Sequence, residues 1–222
     1  MSLDLGLLAK EASRKAIHMA GVVVPLAYYF LFSRELILLI LLAAVLVAAV
    51  LEYVRLSGHP IFPSILLRGH EENGVVGGYF YALLSSFLAV LLFDKAIAVA
   101  AILFLDLGDA ITGLAGAIMT MVDGPKEADK RSGAAAKSSL VGELRYAVTH
   151  PKSPALMAVM LAVCGCIGIA LYPSLSFKMI AAGAFGAMVA DAFPWRLLRF
   201  TVDDNLSIPL VSGALMWLAS ML

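Results

Sequence analysis

The sequence predicts an all-α fold, a polytopic transmembrane helical bundle of about seven spans, and three observations carry that expectation. Apolar residues make up 62% of the 222 and charged residues 14%, where a soluble domain is nearer half apolar and a quarter charged. The mean hydropathy is +0.94. Polar residues gather in a few short stretches that separate apolar runs of about 17–25 residues, the length that crosses a bilayer as a helix.

Taken in order, spans are predicted at 16–32, 36–54, 74–93, 95–115, 154–173, 176–193 and 206–222. The first follows SLDLGLLAKEASRK, a polar amphipathic stretch without signal-peptide features, so the segment is expected to stay in the bilayer. The second, with LILLILLAAVLVAA at its centre, is apolar throughout. The third enters from the polar stretch RGHEENGVVGGY. The fourth belongs to an apolar run that continues to Val122. One straight helix of that length would reach about 40 Å, so a break or an exit is expected near the glycines, Gly108, Gly113 and Gly116. The fifth contains Cys164 and Cys166, which two apart do not share a helix face and are read as packing residues. The sixth and seventh are short, with little room to tilt. No internal repeat is evident, and 1–222 reads as a single integral membrane domain with a long loop at 123–153.

Lys and Arg set the orientation. With seven spans and the N-terminus cytoplasmic, 13 of the 16 cations fall on inner segments, and only Arg34, Lys95 and Lys178 fall outside. The conspicuous polar clusters land on the same inner side. Glu11, Arg14, Lys15 and His18 share one helical face at the mouth of the first span. Glu52 and Arg55 end the second, and Arg68 precedes the third. Asp106 and Asp109 approach from the fourth, and TVDDNLSIP opens the seventh.

The residue types in that distribution describe a metal–polyphosphate site. Arg14, Lys15, His18, Arg55, Arg68 and Lys137 suit phosphate oxygens. Asp106, Asp109, Asp203, Asp204 and Asn205 are hard oxygen ligands of the kind Mg²⁺ takes. A carboxylate within a span is expensive and is seldom kept without a partner or a task, which singles out Asp109. Plainer roles exist beside these. Lys10 serves as a positive-inside anchor, GHEEN as a solvated turn, and Gly113 and Gly116 as close-packing positions. The net charge of zero offers no basic field for nucleic acid.

These pieces, in this order, resemble the polyprenol kinase family, which includes dolichol kinase, phytol kinase and the yeast-type CTP-dependent diacylglycerol kinase. The resemblance is carried by Glu11-Arg14-Lys15-His18, Glu52-Arg55, Arg68 with Gly77-Gly78-Tyr81, Gly108-Asp109 with Gly113 and Gly116, Lys137-Ser138 with Gly142, and Asp204-Asn205 with Ile208-Pro209-Leu210-Ser212-Gly213. It runs from residue 11 to residue 213. It departs from the family where Lys137 stands five residues before Gly142 and Val141 replaces an acidic residue.

The resemblance implies transfer of the γ-phosphate, typically of CTP, to the hydroxyl of a membrane isoprenoid alcohol. It makes Asp109, Lys137 and His18 the catalytic candidates, and Asp109, Asp204 and Asn205 the Mg²⁺ ligands. Arg14, Lys15, Arg55, Arg68, Ser138, Gly108, Gly113 and Gly142 would meet the nucleotide, with Glu11, Glu52 and Asp106 in secondary places. The nucleotide comes from the resemblance alone, because no P-loop or protein-kinase signature is present. A CDP-lipid-forming cytidylyltransferase and a small transporter lined by Asp106 and Asp109 are the alternatives. A transporter should show polar residues leading through to the outer side, and LILLILLAAVLVAA offers none.

Overall fold

The computed structural model of the protein describes residues 19–59, 75–123, 151–193, 196–197 and 200–222. Among these the architecture is an all-α bundle: α1 (Val23–Phe30), α2 (Arg34–Leu56), α3 (Gly78–Leu92), α4 (Lys95–Leu103), a π-helical segment (Phe104–Asp109), α5 (Ala110–Asp123), α6 (Pro154–Ala170), α7 (Phe177–Ala192) and α8 (Asp204–Met221). A two-residue hairpin between α7 and α8 pairs β1 (Arg196–Leu197) with β2 (Phe200–Thr201) in antiparallel register, Arg196 opposite Thr201. Among the described residues, α2 and the stretch Lys95–Met119 are long and apolar enough to cross a membrane, and α3 and α6 are shorter apolar helices.

Local chemistry explains where these helices begin and end. Ser33, Ser153 and Ser176 cap α2, α6 and α7, each hydroxyl accepting from the backbone N–H three residues on. Pro154 occupies the first turn of α6, where its missing N–H costs nothing. Glu35 in the first turn of α2 and Arg55 in its last complement the helix dipole. Gly58, at φ +91°, turns the chain away after α2 as a left-handed residue.

The core centres on α4 and the π-helical segment. Every residue from Ile97 to Leu105 is buried and apolar. Helices α7 and α8 pack along each other closely enough that a Cβ on Gly186 would stand 3.1 Å from the Ser212 Cα. By contrast, the lipid-like side chains Leu39, Leu46, Val47 and Val50 of α2 are exposed.

Of the glycines near which a break or an exit is expected, Gly108 lies in a π-helical irregularity, whereas Gly113 and Gly116 lie in regular helix. The helix continues without interruption from Lys95 to Asp123, and its irregularity lies earlier, at Phe104–Asp109. Glycine costs a helix about 1 kcal/mol, less than the several kcal/mol of leaving backbone groups unpaired in apolar surroundings. The π turn, with hydrogen bonds to the fifth residue, widens the helix where it carries Asp106 and Asp109.

Pro209 sits inside α8. Lacking an N–H, it leaves the carbonyl of Asn205, four residues back, without its helical donor. The Ser85 hydroxyl of α3 donates to that carbonyl at 2.7 Å, in a fully buried contact. The proline thus converts a helix defect into a fixed α3–α8 junction. Replacing Ser85 with Ala should leave a buried acceptor unsatisfied and cost about 1–3 kcal/mol, measured by thermal unfolding in detergent. Ser86→Ala, which removes only a hydroxyl bonded to Ala82 in its own helix, is the control. Equal stability of the two variants would refute the junction.

Candidate metal centre

Three carboxylates from separate parts of the chain meet at one end of the bundle. Asp109 closes the π-helical segment, Asp191 stands one residue before the end of α7, and Asp204 opens α8. One oxygen from each lies within 4.8 Å of the other two. Asp109 and Asp191 are buried, and Asp204 is half-buried. The hairpin joining α7 to α8 places the last two beside each other. The π turn delivers the first.

Lys152 supplies positive charge. Its Nζ lies 2.5 Å from Asp191 Oδ1, the lysine side chain 30% exposed and the aspartate 1%. Its backbone N–H donates to the Ala192 carbonyl at 2.9 Å, which pins the residue to the end of α7. Burial alone would lower the pKa of this ammonium, but the Asp191 and Asp204 carboxylates, the hydrogen bond to Asp191 and the Asp109 carboxylate together hold it above its ordinary value. Lys152 is therefore charged at neutral pH.

Asn205 adjoins the cluster and is fully buried. Its backbone N–H donates to Asp203 Oδ1 at 2.9 Å, and its Nδ2 donates to the Gly78 carbonyl at 3.2 Å. Its Oδ1 is buried with no protein partner among the described residues. The three carboxylates form an all-oxygen donor set, which fits a hard divalent cation such as Mg²⁺. Asp109, Asp191 and Asp204 would hold it.

A buried ion pair frames the same end. Glu52 Oε2 accepts from Arg55 Nε at 2.6 Å, and Glu52 Oε1 accepts from the Gly77 N–H at 2.5 Å. The Arg55 NH2 group donates to the Val75 carbonyl at 2.5 Å. The pair ties the end of α2 to the start of α3, which Asn205 holds from the other side through Gly78. A Cβ at position 77 would lie 2.7 Å from Glu52 Oε1 and from the Tyr79 ring, so a larger residue there would have to displace one of them.

The structure thus brings Asp109, Asp204 and Asn205 together, with Glu52 and Arg55 linked through Gly77 and Gly78. Gly108 packs against Met160 and Cys164 of α6, and Gly113 is half-buried on α5. Asp106 is buried one turn before Asp109, and its Oδ2 has no partner among the described residues. Glu11, Arg14, Lys15, His18, Arg68, Lys137, Ser138 and Gly142 lie outside the described residues. Two members of the centre escaped the sequence reading. Asp191 interrupts an apolar span as Asp109 does, and the same cost argument could have found it. Lys152 was counted only as an inner-side anchor.

Comparison of the chain with family models, with curated proteins and with solved structures found no match. The centre stands on its own geometry.

Glu52→Gln should weaken the charge-assisted bonds from Arg55 Nε and the Gly77 N–H and cost about 1.5–3 kcal/mol, read as a fall in the detergent unfolding midpoint. A variant as stable as the parent would mean that the pair does not hold α2 to α3.

Proposed function

We propose that this chain is a multi-pass integral membrane kinase that transfers the γ-phosphoryl group of CTP to the hydroxyl of an isoprenoid lipid alcohol. Seven spans with a cytoplasmic N-terminus would place the acidic centre at the cytoplasmic leaflet. The convergence of Asp109, Asp191 and Asp204 with Lys152 carries the reading, because phosphoryl transfer needs positioning and charge neutralisation above all. The sorting of charge along the bundle supports the orientation. Arg55 and Lys152 belong to the end with the carboxylates. Arg34 donates to the Val90 and Leu91 carbonyls at the far end of α3, and Lys95 lies over the Tyr28 ring. The buried apolar stretch Ile97–Leu105 offers no polar path beyond the carboxylates, which disfavours a transporter.

In this mechanism Asp109, Asp191 and Asp204 would hold Mg²⁺, which would supply neutralisation of the triphosphate charge. Asn205 braces the start of α8 so that Asp204 keeps its place. The π turn sets Asp109 just inside the bundle, where a lipid hydroxyl can approach from the membrane. The hydroxyl oxygen forms its bond to γ-phosphorus as the bond to the β-phosphate oxygen breaks, the hydroxyl proton is lost to water, and CDP leaves. Lys137, Ser138, Arg14, Lys15 and His18 enter the mechanism through the family resemblance, as contacts to the phosphates.

Incubation with γ-labelled and α-labelled CTP in turn, across a panel of isoprenoid alcohols, tests the reaction. Label from the γ-position should enter the organic phase with release of CDP. Entry of α-label instead would identify a cytidylyltransferase and overturn the proposal. Asp109→Asn and Asp191→Asn should each lower turnover by about 10²-fold or more, and Asp106→Asn by less.

A further inference from the structure

The end of the bundle away from the carboxylates carries an aromatic patch that the metal centre does not use. Helix α1 finishes there with Tyr29 and Phe30, whose rings meet edge to face at 4.9 Å between centroids. Tyr172, just after α6, stacks on Phe177, the first residue of α7, at 5.0 Å. The Tyr29 and Ser174 hydroxyls are hydrogen-bonded at 3.4 Å and join the two pairs into one surface. Phe30 is 72% exposed and Phe177 67%. Because α7 runs from Phe177 to Ala192, the patch and Asp191 lie at its opposite ends.

Two physical limits bracket where this patch lies. In water, its rings and the exposed Leu31 beside them would form a contiguous apolar surface of the kind that marks an interaction site. In the acyl core the opposite problem arises. Pro173 and Ser174 are exposed in the reversal between α6 and α7, and irregular backbone exposed to lipid does not occur at that depth, since each unpaired group costs several kcal/mol. Lys178, exposed next to Phe177, would also put an ammonium into hydrocarbon. The boundary between headgroups and acyl chains satisfies both limits. Tyrosine settles there with its ring toward the chains and its hydroxyl toward water, and a lysine extends its ammonium to the headgroups.

We infer that the patch of Tyr29, Phe30, Tyr172 and Phe177 binds the headgroup–acyl boundary of a phospholipid bilayer, on the leaflet opposite the carboxylates. The inference rests on the membrane reading of the chain and is independent of the phosphoryl-transfer reading. It fixes a depth for the rest of α7. Phe185, eight residues beyond Phe177, is 54% exposed. That spacing is about 12 Å along a helix, which brings Phe185 near the middle of a hydrocarbon core about 30 Å thick.

The test uses the full chain reconstituted in phosphatidylcholine vesicles, with tryptophan fluorescence as the depth gauge. Trp195→Phe and Trp217→Phe clear the background, and Phe177→Trp or Phe185→Trp then supplies a single reporter. Quenching is compared between lipids brominated near the carbonyl end of the acyl chain and lipids brominated near its methyl end. The Phe177→Trp reporter should be quenched more by the first, and the Phe185→Trp reporter more by the second. Phe30→Trp, on the same patch but in α1, should follow Phe177→Trp and replaces it if that variant does not fold. Stronger quenching of the patch reporters by the methyl-end bromines would place the patch in the core and overturn the inference. Patch reporters untouched by either lipid, with Phe185→Trp quenched, would place the patch in water or under a second copy of the chain, and would overturn it equally. If Phe185→Trp also escapes both lipids, the membrane reading itself is refuted and the inference falls with it.

Discussion

Asp109, Asp191 and Asp204 crowd three carboxylates within 4.8 Å of one another, and the Lys152 ammonium pairs with Oδ1 of the deeply buried Asp191. An unpaired charge in an apolar interior costs several kcal/mol, so this contact conditions everything around it. The loop before α6 must reach the end of α7, which the Lys152–Ala192 backbone bond achieves. The hairpin must return α8 beside α7 so that Asp204 shares the charge. The described helices are organised around a place where carboxylates from three parts of the chain are concentrated.

Backbone irregularities collect at the same end. The π-helical segment carries Asp106 and Asp109, and Pro209 frees a carbonyl that Ser85 captures. Each departure from regular helix would be a liability in apolar surroundings unless another group satisfied it. Here each one instead aims or locks a polar residue. Gly77 adds a third device, since its missing Cβ lets Glu52 reach the backbone at the start of α3. Regular helix fills the opposite half, where Ile97–Leu105 need only pack.

The metal–phosphate reading ties these devices to one task. On that reading, rigid supports around the carboxylates would serve a reaction whose catalysis consists largely of positioned charge.

Composition and period determined the helical class and the apolar character. Burying so much hydrocarbon while pairing every backbone group leaves few alternatives to helices. The cost of a carboxylate in an apolar run likewise marked Asp109 from the sequence, and ordered motifs marked Asp204 and Asn205. Only the tertiary structure decided that Asp191 joins them and that Lys152 pairs with it, because those partners are 39 or more residues apart along the chain or lie across the α7–α8 hairpin. It also decided that the long fourth helix runs on past its glycines. A glycine read alone is a helix breaker, whereas Gly116, with a Cβ position only 3.5 Å from Leu156, is a packing surface. Local propensity is written residue by residue, but which charges meet depends on how the helix ends are brought together.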